Sequence, residues 1–157
     1  MTSQLPAALA LATILTLGAC APAGAASDAA AKGQAFLAQN AKAPGVHVTA
    51  SGLEYKVLSS GPPTGEHPGP DDAVKVNYEL KLLNGEVVDS SFARGAPDTM
   101  RLDGLIPAWQ EAIPMMRPGD TWELWSPASL AYGDKAAGPI PPGSVLEFKI
   151  QLIDFGR

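Results

Sequence analysis

The strictest constraint on this chain is the alternation from Val74 to Leu82, followed at once by Asn84-Gly85. Val74, Val76, Tyr78, Leu80 and Leu82 take every second place, with Lys75, Asn77, Glu79 and Lys81 between them. Successive side chains of an extended segment point to opposite faces, so the run predicts a strand with one apolar and one polar face. Asn-Gly is the strongest short hairpin signal, and it turns the chain back alongside. The stretch from Val74 to Tyr132 therefore reads as one concave apolar site. It holds few groups able to do proton or nucleophile chemistry, which favours binding something apolar over cutting a bond.

The other segments build on that strand. Leu53 to Val57, Thr121 to Trp125 and Leu146 to Leu152 alternate as strands do, and Met100 with Leu102 resumes one. Pro107 to Ile113 predicts a short helix with proline at its first position, where a missing N–H costs nothing. Ile106, Trp109, Ala112 and Ile113 share its apolar face. Asp89 to Pro97 reads as a long loop or bulge, and Ser60 to Asp72 as an exposed loop rich in Gly and Pro. The sum is an α+β fold: a curved, largely antiparallel sheet of about five strands over one short helix. A short helix between Ala30 and Ala43 precedes it and ends at Pro44-Gly45.

The first 27 residues carry no Asp, Glu, Lys or Arg until Asp28. The apolar run from Leu5 to Leu17 falls short of the about 20 residues that a membrane-spanning helix requires and has the length of a signal-peptide core. It ends in Leu17-Gly18-Ala19-Cys20, which resembles the bacterial lipobox. Lipidation of Cys20 would supply several acyl chains, enough for lasting anchorage where one chain is not. The alternative is an ordinary secretory signal cut near Ala23-Gly24-Ala25, with Cys20 discarded. Ala21, rather than an aspartate, follows the cysteine, which in lipoproteins points to the outer membrane. Either way the expected location is the cell envelope, in the periplasm, with a lipid anchor on Cys20 as the membrane partner. The expected division is a lipoprotein-type signal peptide over 1–19, a flexible small-residue linker over 20–32, a helical arm and linker over 33–51, and one domain over 52–157.

Composition narrows the function classes. Hydrophobic residues make up 46% of the chain, enough for a real core. The net charge of −5 argues against nucleic acid as a partner, which calls for a basic patch. A single cysteine excludes an intrachain disulfide. His47 and His67 stand apart in linker-like sequence, so no metal site and no cofactor is expected. No Gly-x-Ser-x-Gly elbow is present, which argues against a hydrolase.

Several motifs occur together and in one order: Val76-Asn77-Tyr78, Gly85 to Ser91 (Gly-Glu-Val-Val-Asp-Ser-Ser), Leu105 to Trp109 (Leu-Ile-Pro-Ala-Trp), Leu130 to Gly133 (Leu-Ala-Tyr-Gly) and Ile140-Pro141-Pro142. With Leu146 to Leu152 as last strand, residues 52–156 resemble the FKBP-type peptidyl-prolyl cis-trans isomerases. Gly33 to Lys42 and Ala50 to Val57 resemble their secreted, macrophage-infectivity-potentiator-like branch, whose members carry a long dimerising helix. Only the last turns of such a helix are evident here, and the sequence sets no oligomeric state.

The resemblance implies rotation of X–Pro bonds in proline-containing unfolded or flexible polypeptides of the envelope. It also implies roles. Trp109 would floor the pocket, with Tyr78, Val88, Leu105, Ile106 and Phe148 as walls and Ile140 on the rim. The Ile106 N–H and the Tyr132 hydroxyl would hold substrate carbonyls. Asp89 would accept from Tyr78 and face the twisting amide. Taken singly, each has a plainer reading: Tyr78 and Phe148 as core, Trp109 as packing, Asp89 as a turn cap, Tyr132 as a loop anchor.

Three departures stand out. Val88 replaces the usual Phe, Asp98 stands where an aromatic is common, and the loop between Tyr132 and Pro141 is shorter. They lead to an expectation of weak macrolide binding. The rival function is a periplasmic holdase that grips apolar segments without isomerising them; Asp89 and Tyr132 are what such a surface does not need.

Overall fold

The computed structural model describes residues 23–156. Seven antiparallel strands form one open sheet: β1 (Val46–Val48), β2 (Glu54–Ser59), β3 (Ala73–Leu82), β4 (Val87–Ser90), β5 (Asp98–Arg101), β6 (Thr121–Ser126) and β7 (Leu146–Gly156). Their order is β1-β2-β6-β7-β3-β4, with β5 also paired to β3. The α+β class and antiparallel sheet expected from the sequence are found. The strand count is higher than expected, because β1 and β4 are too short for alternation to register.

β3 is the axis. Val74, Val76, Leu80 and Leu82 are buried on its inner face. β7 pairs with it along its whole length. On its other edge β4 pairs with Glu79 to Lys81 and β5 with Ala73 to Val76. The outer face carries opposite charges in register: Lys56 against Glu123, Glu123 against Lys149, Lys149 against Glu79. Such cross-strand pairs suit a wetted face.

Helix α3 (Pro107–Ala112) packs on the inner face and buries Ala108, Trp109 and Ala112 against β3, β6 and β7. Proline at its start and a 3-10 turn at Ile113–Met115 keep it short. The span expected as a loop, Asp89 to Pro97, contains a further short helix, α2 (Ser91–Arg94). Ser90 caps it by accepting from the Ala93 N–H, and Gly95 closes it at φ 74°, a left-handed geometry suited to glycine.

Helix α1 (Ala23–Asn40) begins well before the expected arm, so the linker predicted over 20–32 is helical in its described part. The small residues that suggested flexibility are mostly alanines, the best helix formers. Tertiary contacts supply the rest. Gly33 is buried so close to Val145 that a Cβ there would lie 2.6 Å from a valine methyl carbon. Near the other end, the Asn40 amide donates to Glu54 Oε2 at 2.7 Å. Cys20 and the expected signal peptide lie outside the described residues.

Candidate active site

The cleft is assembled where β3, β4, β5 and α3 meet. It is lined by Tyr78, Leu80, Asp89, Met100, Leu105, Ile106, Trp109, Tyr132 and Phe148 and has a volume of about 140 Å³. The Trp109 indole lies at its heart, with the rings of Tyr78 and Phe148 standing edge-on to it at 5.2 and 5.6 Å between centroids. Edge-to-face contact suits the aromatic quadrupole. The buried Trp109 Nε1 has no hydrogen-bond partner, so packing alone holds the indole.

Asp89 enters this apolar setting through a bulge. Leu80 pairs with Asp89 and Lys81 with Val87, which leaves Val88 as the extra residue. Without it, Val87 and Asp89 would share one face. The bulge lets Val87 point outward while Asp89 faces the cleft. There the Tyr78 hydroxyl donates to Asp89 Oδ2, and Arg94 from α2 donates to Asp89 Oδ1. The hydrogen bond from Tyr78, reinforced by Arg94, holds the Asp89 carboxyl below the usual carboxylate range. Burial, aided by the bond to Asp89, pushes the Tyr78 phenol up. Asp89 is therefore a fixed, ionised acceptor and Tyr78 a fixed neutral donor.

The serine after Asp89-Ser90 sets the frame. Between the pairing with β4 and the pairing with β5, the ladder along β3 is broken. Ser91, fully buried, fills the gap: its Oγ accepts from the Tyr78 N–H at 2.8 Å. It thereby satisfies a backbone donor that the missing strand cannot.

Tyr132 follows a 3-10 turn at Ala128–Leu130, lines the cleft and is 41% exposed. The Ile106 N–H precedes α3 and has no acceptor among the described residues. Both donors border the cleft.

Seven of the expected site residues thus converge: Tyr78, Asp89, Leu105, Ile106, Trp109, Tyr132 and Phe148. Two do not line the cleft. Val88 is displaced by the bulge and packs against the core. Ile140 is 4% exposed and is drawn into the core, where it bridges Ala137. Leu80, Met100 and Arg94 went unrecognised. The alternation already placed Leu80 on the inner face beside Tyr78, and Met100 follows by the same rule within β5. Arg94 gave no signal, because its partner lies across a helix too short to show periodicity.

No group of His, Cys, Asp and Glu able to hold a metal ion occurs among the described residues. A larger hollow of about 350 Å³ lies elsewhere, between α1 and the β3–β4 turn, lined by Asp28, Lys32, Leu82 and Val145 among others. It lacks aromatic walls and a convergent polar set.

Comparison with known proteins agrees with this geometry. Residues 64–153 match the family model described as FKBP-type peptidyl-prolyl cis-trans isomerase. Residues 14–57 match that of the domain amino-terminal to it. The peptidyl-prolyl cis-trans isomerase Mip of Coxiella burnetii is 49% identical over 79% of this chain and 54% of its own length. The outer membrane protein MIP of Legionella longbeachae is 47% identical over 78% of this chain and 52% of its own. The crystal structure of FkpA from Escherichia coli superposes with a TM-score of 0.79 at 40% identity, covering 83% of this chain and 61% of that one. The chain spans about half the length of the curated relatives it matches.

Proposed function

Because the chain belongs to the family of FKBP-type peptidyl-prolyl cis-trans isomerases, we propose that it catalyses rotation about X–Pro bonds in flexible polypeptides. The single observation that carries this reading is the Trp109-centred cleft with one ionised carboxylate at its wall and no nucleophile–base pair beside it.

Rotation of an X–Pro amide faces a barrier of about 18–20 kcal/mol from C–N resonance. No proton has to move and no bond has to break. At the top of the barrier the nitrogen is out of conjugation and the amide has lost polarity. A dry cleft favours that state, because water stabilises the planar amide more. Each tenfold acceleration requires about 1.4 kcal/mol of tighter binding to the twisted form. In this reading the proline ring rests on Trp109 between Tyr78, Leu105, Ile106 and Phe148. The Ile106 N–H and the Tyr132 hydroxyl hold carbonyls on either side, and Asp89 faces the rotating amide.

The test is the cis-to-trans relaxation of a Xaa-Leu-Pro-Phe peptide, with an Asp89→Ala, Tyr132→Phe variant alongside. Acceleration that falls in the variant supports the assignment. Suppression of aggregation without acceleration would instead make the domain a holdase. Macrolides should bind weakly, since Val88 supplies no aromatic wall and the unbranched Met100 lines the cleft. The proposed location is the envelope, with Cys20 as anchor. It draws on the run from Leu5 to Cys20 and on the name of the Legionella relative. Labelling with an alkyne fatty acid that is lost in Cys20→Ala tests it.

A further inference from the structure

Arg94 is shared. One of its guanidinium nitrogens donates to Asp89 Oδ1 and the other to Asp98 Oδ2. Two carboxylates are thus served by one cation. Both oxygens of Asp89 are engaged, Oδ2 by Tyr78 and Oδ1 by Arg94. Asp98 keeps Oδ1 without a partner among the described residues and is 37% exposed.

Its position in β5, two residues from Met100 and on the same guanidinium as Asp89, puts this carboxylate beside the cleft. Asp98 pairs with Val76 and Met100 with Val74, both inner-face residues of β3, and Met100 itself lines the cleft. The next cation along β5 is unavailable. Arg101 alternates to the other face and is held by Asp103 through two hydrogen bonds, at 3.0 and 2.7 Å. The Asp89–Arg94–Asp98 group, two carboxylates on one cation, therefore carries a net negative charge beside the cleft. The cleft is small and open on one side, so the residues on either side of a proline seated on Trp109 cross its rim.

We propose that Asp98 is a specificity-determining residue that makes this cleft favour prolines flanked by Lys or Arg over those flanked by Glu or Asp. The proposal rests on the isomerase reading above and names the substrate class of that same site. Position 98 would extend an apolar wall if it held an aromatic. With a carboxylate it selects by charge, and the selection is open to screening because Asp98 is solvated.

The experiment compares peptides carrying Lys, Leu or Glu before the proline, and a second set with the same residues after it. Relaxation is measured with the whole protein and with Asp98→Asn, at about 20 mM and about 500 mM salt. In one of the two sets, kcat/KM for Lys should exceed that for Glu by about fivefold at low salt. The ratio should fall towards one in Asp98→Asn and at high salt. Asp98→Ser serves as a second neutral variant if Asp98→Asn folds poorly, and the salt series separates the charge effect from packing. A Lys-to-Glu ratio of one or less in both sets, or a ratio unchanged in Asp98→Asn, overturns the proposal while leaving the isomerase intact. If no peptide is turned over, the isomerase reading fails. Calorimetric titration with the same Lys and Glu peptides then decides on Asp98, and equal affinities overturn its role.

Discussion

The Tyr78 hydroxyl donates to Asp89 across the bulge that Val88 makes between β3 and β4. This contact joins the inner face of β3 to the only carboxylate that lines the cleft among the described residues. Its geometry depends on two features outside the pair: Ser91 holding the Tyr78 backbone, and Arg94 holding the other oxygen of Asp89.

Ser91→Ala should therefore damage stability and activity together. It leaves the Tyr78 N–H buried without an acceptor, at a cost of about 1–3 kcal/mol. Chemical denaturation should show that loss. Relaxation of an X–Pro peptide should slow as well, since Tyr78 is no longer tied at its backbone.

Asp89 predicts a pH dependence with a definite sign. Its folded pKa is depressed, chiefly by the Tyr78 hydrogen bond. Its contribution to stability is thus fully present above the unfolded carboxylate pKa and is lost as pH falls through the lower folded value. Turnover that depends on the Asp89 charge should stay flat through neutral pH and decline only below the ordinary carboxylate range. Acid denaturation of the native protein and of Asp89→Asn, compared side by side, checks this. The two curves should converge at the acid end.

Gly33→Ala sets two effects against each other. Alanine favours an isolated helix by about 1 kcal/mol over glycine. The new Cβ, however, would sit 2.6 Å from a methyl of Val145, a stiff β-branched side chain. The steric effect should win at the contact. Circular dichroism should show helix retained, while hydrogen exchange in α1 and around Val145 speeds up. Unchanged protection would mean that the helix shifts without leaving the sheet.

Glu54 gives the opposite pH sign to Asp89. Burial raises its carboxyl pKa, and the Asn40 hydrogen bond offsets part of that. Its contribution to stability is fully present below the unfolded carboxylate pKa and is lost as pH rises through the raised folded value. Removing the donor in Asn40→Ala should cost about 1–2 kcal/mol at neutral pH and less below the ordinary carboxylate range, where Glu54 is protonated. Thermal melts on both sides of that window measure the difference.

Much of the fold was legible because alternation and turn chemistry are local. Val74 to Leu82 could be only one kind of strand, Asn84-Gly85 could only turn, and Pro107 marked where α3 begins. The family followed from motifs whose order and spacing no single segment could fix. Other features gave no such signal. Helix α2 is a single turn, too short for periodicity, and so the convergence of Arg94 on Asp89 and Asp98 was hidden. The alanines before Gly33 fit both a linker and a helix, and only the docking against Val145 and Glu54 decides between them.

The sequence by itself determined which residues face inward along β3 and β7, where the hairpin turns, and that Trp109 sits on a short helix with one apolar face. These are consequences of residue type and nearest-neighbour geometry. Tertiary structure alone decided that Val88 leaves the cleft wall, that Ile140 sinks into the core, and that one guanidinium answers two carboxylates. Each of these depends on packing that residue type alone does not set: a one-residue bulge in the β3–β4 hairpin, a loop folded onto the core, and a single-turn helix that brings its arginine between two strands.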